Sequence, residues 1–197
     1  SSGASEPIKY KCAEYMPSMF TAESRDTTFD PHLSATQEHG AESCPKNEHG
    51  IHALWFEAGD DGSWDWLKCG WGPYESDDHY GVTLAAVAVA SAPENYAASK
   101  DAASGYAKLL SWLKKNQPTL AHQKGMMLWL SQVAPNAVSV EKKSQWQKEL
   151  LKLQQADGGW AIATLGDWKR ADGTKQIRNR SDGYGTGFVV FALRKSG

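Results

Sequence analysis

The segment ESDDHYG gathers Glu75, Asp77, Asp78 and His79 in one short run. Carboxyl groups crowded into a buried site raise one another's affinity for protons. One of them then stays protonated near neutral pH and can act as a general acid. The same residues stand just before an apolar helical segment, where Ser76 or Asp77 would accept hydrogen bonds from the exposed amides of the first turn. Metal or ligand binding is the third use for such a cluster. The echo RSDGYG, with Ser181 and Asp182 before the last apolar segment, favours capping. His49 and His52 lie one helical turn apart and could share a metal. No third ligand of matching spacing follows, so two solvated histidines are the simpler account. His32, His39 and His122 have no partner evident in the sequence. Cys12, Cys44 and Cys69 are odd in number and lack a Cys-x-x-Cys pair. They fit one disulfide plus a free thiol in an exported protein, or three unrelated reduced cysteines. No Ser–His–Asp context, phosphate-binding glycine loop or basic patch appears.

A chain of 197 residues suits one domain with a substantial core. Its net charge of −2 supplies no field to draw nucleic acid or a membrane surface. The longest apolar run, Val82 to Ala90 broken only by Thr83, is too short to span a bilayer. The opening SSGASEP resembles either a tag remnant or the start left by removal of a signal, and the expectation leans toward export. Nine tryptophans are the loudest feature of the composition. Such rings fill a core or line a ligand surface, and burial habits favour the core.

Residues 1–45 read as a loop-rich N-terminal arm, polar and punctuated by Pro7, Pro17, Pro31 and Pro45. Residues 46–197 read as a helical domain. NEHGIHALWFEA places Ile51, Leu54 and Trp55 on one face of a short helix, and GVTLAAVAVASA is apolar almost all round. DAASGYAKLLSWLKKN carries the stripe Tyr106, Leu109, Leu110 and Leu113, and LAHQKGMMLWLSQVA is again apolar. SVEKKSQWQKELLKLQQ starts at an N-cap, Ser139. It groups Trp146, Leu150 and Leu153 on one face, with Lys143, Lys148 and Lys152 on the solvated side. GYGTGFVVFALRKSG closes the series as a further apolar helix. Amphipathic helices suit an outer layer and apolar ones an inner layer, so the alternation predicts three stacked outer–inner hairpins.

A finer repeat runs beneath this one. DGSW at Asp61–Trp64 returns as DGGW at Asp157–Trp160, 96 positions later, and each copy precedes an inner helix bearing Tyr-Gly. Glycines at a helix end permit the positive backbone angles of a sharp turn. A glutamine there can bond the exposed backbone, and an indole ring can fasten one hairpin to the next. Gln154, Asp157, Gly158, Gly159 and Trp160 thus form a clasp, with Asp61, Gly62 and Trp64 as its earlier and degenerate copy, where Ala58 replaces the glutamine.

Gln154-x-x-Asp157-Gly158-Gly159-Trp160 resembles the QW motif of squalene–hopene and oxidosqualene cyclases, related to turns in protein prenyltransferase β-subunits. The combination DGSWDWLKCGWGPYESDDHYG with DGGW and SDGYGTGFVVFALRKSG is similar to bacterial, planctomycete-type squalene-cyclase-like proteins. The resemblance covers about Asn47 to Gly197. It implies an all-α fold: a partial α/α-toroid of three outer–inner hairpins behind the N-terminal arm. The family's catalytic Asp-x-Asp-Asp is not matched by the spacing of Glu75, Asp77 and Asp78. Asp65 and Cys69 do not match the zinc ligands of prenyltransferases, and the haem-attachment Cys-x-x-Cys-His frequent in the planctomycete-type group is missing. The expected function is therefore a non-catalytic scaffold without cofactor. Its inner-helix face would hold another protein subunit, a second copy, or an apolar or polyprenyl ligand. A terpenoid cyclase or prenyl-substrate enzyme, and a carbohydrate-active toroid, are the alternatives. Three hairpins fall short of a closed ring, and leaving the inner helices bare costs ~25 cal/mol per Å², so something is expected to cover them.

Overall fold

The computed structural model describes residues 59–64, 66, 68, 72–74, 76–170 and 172–197. The chain divides into two units, Ser1–Ala53 and Leu54–Gly197, and the described residues all belong to the second. The arm over 1–45, the helix expected over 47–58, His49, His52, Glu75 and the three cysteines lie outside the described residues.

The second unit is all-helical, with no β-strand among the described residues. Helix α1 (Asp78–Ser91) is built from small and β-branched apolar residues, so no face of it is suited to water. Val82, Ala86 and Val89 are fully buried. Helix α2 (Ala103–Lys115) is amphipathic: Leu109 and Leu113 face inward, and Lys114 and Lys115 complement the negative end of the helix dipole. Helix α3 (Ala121–Val133) buries Met126, Met127, Leu128 and Leu130. Its entry is fixed by Gln123, whose Oε1 accepts from the amides of Thr119 at 2.9 Å and Leu120 at 3.1 Å. Helix α4 (Val140–Lys152) starts on Ser139, whose hydroxyl accepts from the Lys142 amide, and buries Trp146 and Leu150. A short helix α5 (Ile162–Leu165) and an excursion through Trp168 lead to the last helix, α6 (Gly183–Ser196).

The two layers follow from this chemistry. Helices α1, α3 and α6 pack side by side with α3 in the middle, while α2 lies on α1 and α4 on α3. The apolar helices form the lining and the amphipathic ones the jacket, in the alternation the sequence predicts. The last inner helix is the least covered. Helix α6 buries Gly185, Val189, Ala192 and Ser196. Among the described residues no outer helix follows it, so one side of it meets solvent.

The two tryptophan turns have the same internal geometry. Gly59 N–H donates to Ser63 O at 2.8 Å, and Gln155 N–H donates to Gly159 O at 2.8 Å. In the following step Gly62 N–H donates to Gly59 O, and Gly158 N–H to Gln155 O, both at 2.9 Å. Asp61 and Asp157 each accept from the amide two residues on, at 2.9 Å and 3.1 Å. Gly62 and Gly158 adopt φ of 83° and 85°, a region closed to most side chains. Gln154 Nε2 donates to Gly158 O at 2.7 Å, closing the second turn from above. Trp160 is 4% exposed, and its indole N–H donates to Leu150 O at 2.7 Å, capping a carbonyl of α4. Trp64 is likewise buried.

The glycines differ in surroundings despite this shared geometry. A Cβ on Gly62 would stand 2.2 Å from the backbone oxygen of Lys108 in α2, whereas one on Gly158 would meet nothing within 4 Å. Gly158→Ala should therefore lose only the conformational preference, about 1 kcal/mol. Gly62→Ala must also push α2 aside, at about 3 kcal/mol or more. Urea unfolding of the two variants measures the difference, and equal losses would contradict the close approach of this turn to α2.

Candidate functional site

The carboxylates singled out by the sequence are held in backbone hydrogen bonds. Asp77 is the N-cap of α1, accepting from the Tyr80 amide at 2.8 Å, and Ser76 Oγ donates to Pro73 O at 2.9 Å. Asp78 points back to the first tryptophan turn, where its Oδ1 accepts from Trp66 N–H at 3.1 Å and from Lys68 Nζ at 2.6 Å. In the second copy Asp182 does both jobs. Its Oδ1 caps α6 at Gly185 N–H, 2.7 Å away, and its Oδ2 accepts from Ile162 N–H at 2.6 Å. Trp66 and Ile162 each stand two residues beyond the clasp tryptophan. The acidic run thus stitches each turn to the start of the inner helix that follows it.

Asp157 extends the stitch in the second copy. Its Oδ2 accepts from Ser181 Oγ at 2.6 Å, and this bond holds the carboxyl below the usual carboxylate range. Hydrogen bonds at Ser63 do the same for Asp61. Both acids are ionised at neutral pH, the opposite of what a general acid requires. Among the described residues no group of three or more His, Cys, Asp or Glu is placed to hold a metal ion. No helix among them is long and apolar enough to cross a membrane.

A second assembly was not foreseen from the sequence. At the N-terminal ends of the inner helices, Tyr80 from α1, His122 from α3 and Tyr184 and Phe188 from α6 come together. His122, which showed no partner in the sequence, lies at the centre and is 2% exposed. Its Nε2 is joined to Tyr184 Oη by a hydrogen bond of 2.7 Å. Its ring stacks on Phe188 at 4.2 Å and meets Trp168 edge-on at 5.6 Å. Tyr74 bridges outward, edge-on to Tyr184 at 5.3 Å and to Tyr80 at 6.0 Å. These are the spacings of aromatic rings in contact.

Glycine makes the approach possible. A Cβ on Gly125 would lie 2.6 Å from the Phe188 ring, and one on Gly72 would lie 2.0 Å from Trp168. Burial, which disfavours charge, pushes His122 down to about 3 and raises the phenols of Tyr80 and Tyr184. The imidazole is neutral and the phenols are protonated across the physiological range. The signal in the sequence was the paired Tyr-Gly. What it lacked was any indication that His122, on the intervening helix, falls between the two tyrosines.

A third feature is the free side of α6. Val190 is 50% exposed and Phe191 37%, with Phe191 set edge-on to Trp129 of α3 at 5.1 Å. Lys195 Nζ lies 5.8 Å from the centre of the Phe191 ring. No described element covers this pair; Val140, Leu151 and Ile177 are the other large apolar side chains at least half exposed among the described residues.

The buried imidazole gives a pH dependence of defined sign. The unfolded chain protonates His122 below its ordinary value of 6.5, while the folded chain keeps it neutral down to about 3. Stability is therefore full above pH 6.5 and lost as the pH falls, by up to about 1.4 kcal/mol per unit for each such histidine. His79, also held down by burial, contributes in the same direction. Unfolding free energies between pH 6.5 and 4.5 should decline in the wild type and decline less steeply in His122→Phe. An unchanged slope in that variant would contradict the neutral buried state. No family model, curated protein or solved structure matches the chain.

Proposed function

We propose that the chain is a non-catalytic helical-repeat scaffold of the squalene-cyclase-like type that binds a protein partner through the outward face of its last inner helix. The observation that carries this reading is the apolar pair Val190 and Phe191 exposed on α6. The acidic run supports it from the other side. Asp77 and Asp78 accept from the backbone amides of Tyr80 and Trp66, which accounts for both by helix capping and turn closure. The aromatic end supports it as well, because its rings contact one another and its histidine is neutral and hydrogen-bonded to Tyr184. A terpenoid-cyclase or prenyl-substrate enzyme would instead need an acid held protonated against an apolar cavity.

The two readings separate at Asp77 and Asp78. On the scaffold reading, Asp77→Ala removes a helix cap and Asp78→Ala removes the acceptor of the Trp66 amide, each costing about 1 kcal/mol. The double variant should melt lower than the wild type, and neither protein should convert squalene-type or polyprenyl substrates. Thermal melting and mass-spectrometric product analysis make the test. Turnover by the wild type that disappears in the double variant, with the melting temperature unchanged, would overturn the scaffold.

A further inference from the structure

Helices α3 and α6 carry a glycine at the same helix position, where α1 has Val82. Counting from the N-cap Leu120, the fifth residue of α3 is Gly125, which receives the ring of Phe188 from the neighbouring helix. Counting from the N-cap Asp182, the fifth residue of α6 is Gly187, and a Cβ there would meet nothing within 4 Å. The flanking positions correspond too. His122 and Trp129 of α3, which meet α6, match Tyr184 and Phe191 in helix position. Gly183, one turn before Gly187, is also open. A glycine inside a helix, as Gly187 is, costs about 1 kcal/mol relative to alanine. Glycines inside the domain admit a ring or a backbone, but Gly183 and Gly187 admit nothing within the described residues.

We propose that this face is the interface of a two-fold homodimer, with α6 packed antiparallel against α6 of a second copy. The inference rests on the scaffold reading and names its partner. Three observations select a second copy in this orientation. First, the face can meet itself: Gly183, Gly187, Val190 and Arg194 lie along one exposed side, and an antiparallel two-fold axis crossing that side midway between Gly187 and Val190 would set Val190 of each copy against the open Gly187 of the other. Such reciprocal contact is the requirement of an isologous interface. Second, charge runs along the helix. Arg194 and Lys195 occupy the last turn, while the N-terminal end carries Asp182 and, through Ser181, Asp157. Antiparallel packing sets the basic end of one helix against the acidic end of the other and opposes their dipoles. Parallel packing would set Arg194 and Lys195 against themselves. Third, Phe191 is anchored on Trp129 at its edge and carries Lys195 beside its ring, so an aromatic rim to the contact is already positioned.

One helix face is a small interface, and small interfaces dissociate on dilution. Light scattering on the full chain across a dilution series is the test. The wild type should pass from dimer to monomer on dilution. Val190→Asp, a substitution at a half-exposed position, should be monomeric throughout with an unchanged helical spectrum, and should melt with the wild type at dilutions where the wild type is itself monomeric. Arg194→Glu with Lys195→Glu should weaken the dimer about tenfold by placing like charges at both ends. A wild type that is monomeric at every concentration, or a Val190→Asp variant that dimerises as the wild type does, overturns the inference. A monomer that still converts no prenyl substrate removes the second copy as partner and leaves the scaffold standing. Turnover of such a substrate removes the scaffold itself, whatever the oligomeric state.

Discussion

The domain depends on the indole of Trp160 being held beneath the end of α4. The last turn of an α-helix leaves its C=O groups short of regular intrahelical donors; at Leu150 the carbonyl accepts from the Leu153 amide at 3.1 Å and from the indole N–H of Trp160 at 2.7 Å, ten residues on and buried beneath the turn. To bring that ring back under its own helix, the chain must reverse within a few residues, which is why Gly158 takes a positive φ. The reversal leaves further amides exposed. Asp157, Asp182 and Thr186 satisfy them at Gly159, Ile162 and Trp160 respectively, and Asp182 also caps α6. One turn therefore fixes the end of an outer helix, the start of an inner helix and the distance between them.

The first copy distributes the same work differently. Asp77 caps α1, and Asp78 holds the amide of Trp66, the two tasks that Asp182 performs alone. This explains an acidic run that looks, in isolation, like the beginnings of an active site. Two adjacent aspartates appear because two separate amides need acceptors, and the Lys68 ammonium tempers the charge at Asp78.

The layers were legible in the sequence because period and hydrophobicity report burial directly: GVTLAAVAVA has no polar face, and KLLSWLKK has one. The two turns were legible because a glycine after aspartate at a helix end marks a reversal, and Gly62 and Gly158 both take a positive φ. That an inner helix is left partly bare followed from the number of hairpins, but composition did not say which one; GFVVFAL is apolar enough for the interior, yet Val190 and Phe191 remain outside. The aromatic end was missed for a related reason. His122 and Tyr184 are 62 positions apart, and only the side-by-side placement of α3 and α6 makes them partners. Trp168 belongs with them, since an excursion without periodicity gives no sign of where its ring returns.

Amide and indole hydrogen exchange tests the clasp most directly. If the turn is the fastening between layers, the Trp160 indole N–H and the Ile162 and Gly185 amides are released only when the whole domain opens, and they exchange with the same free energy as the slowest amides of α3. Exchange of these three protons through local openings, fast while α3 stays protected, would mean the layers hold together without the turn and would contradict the account.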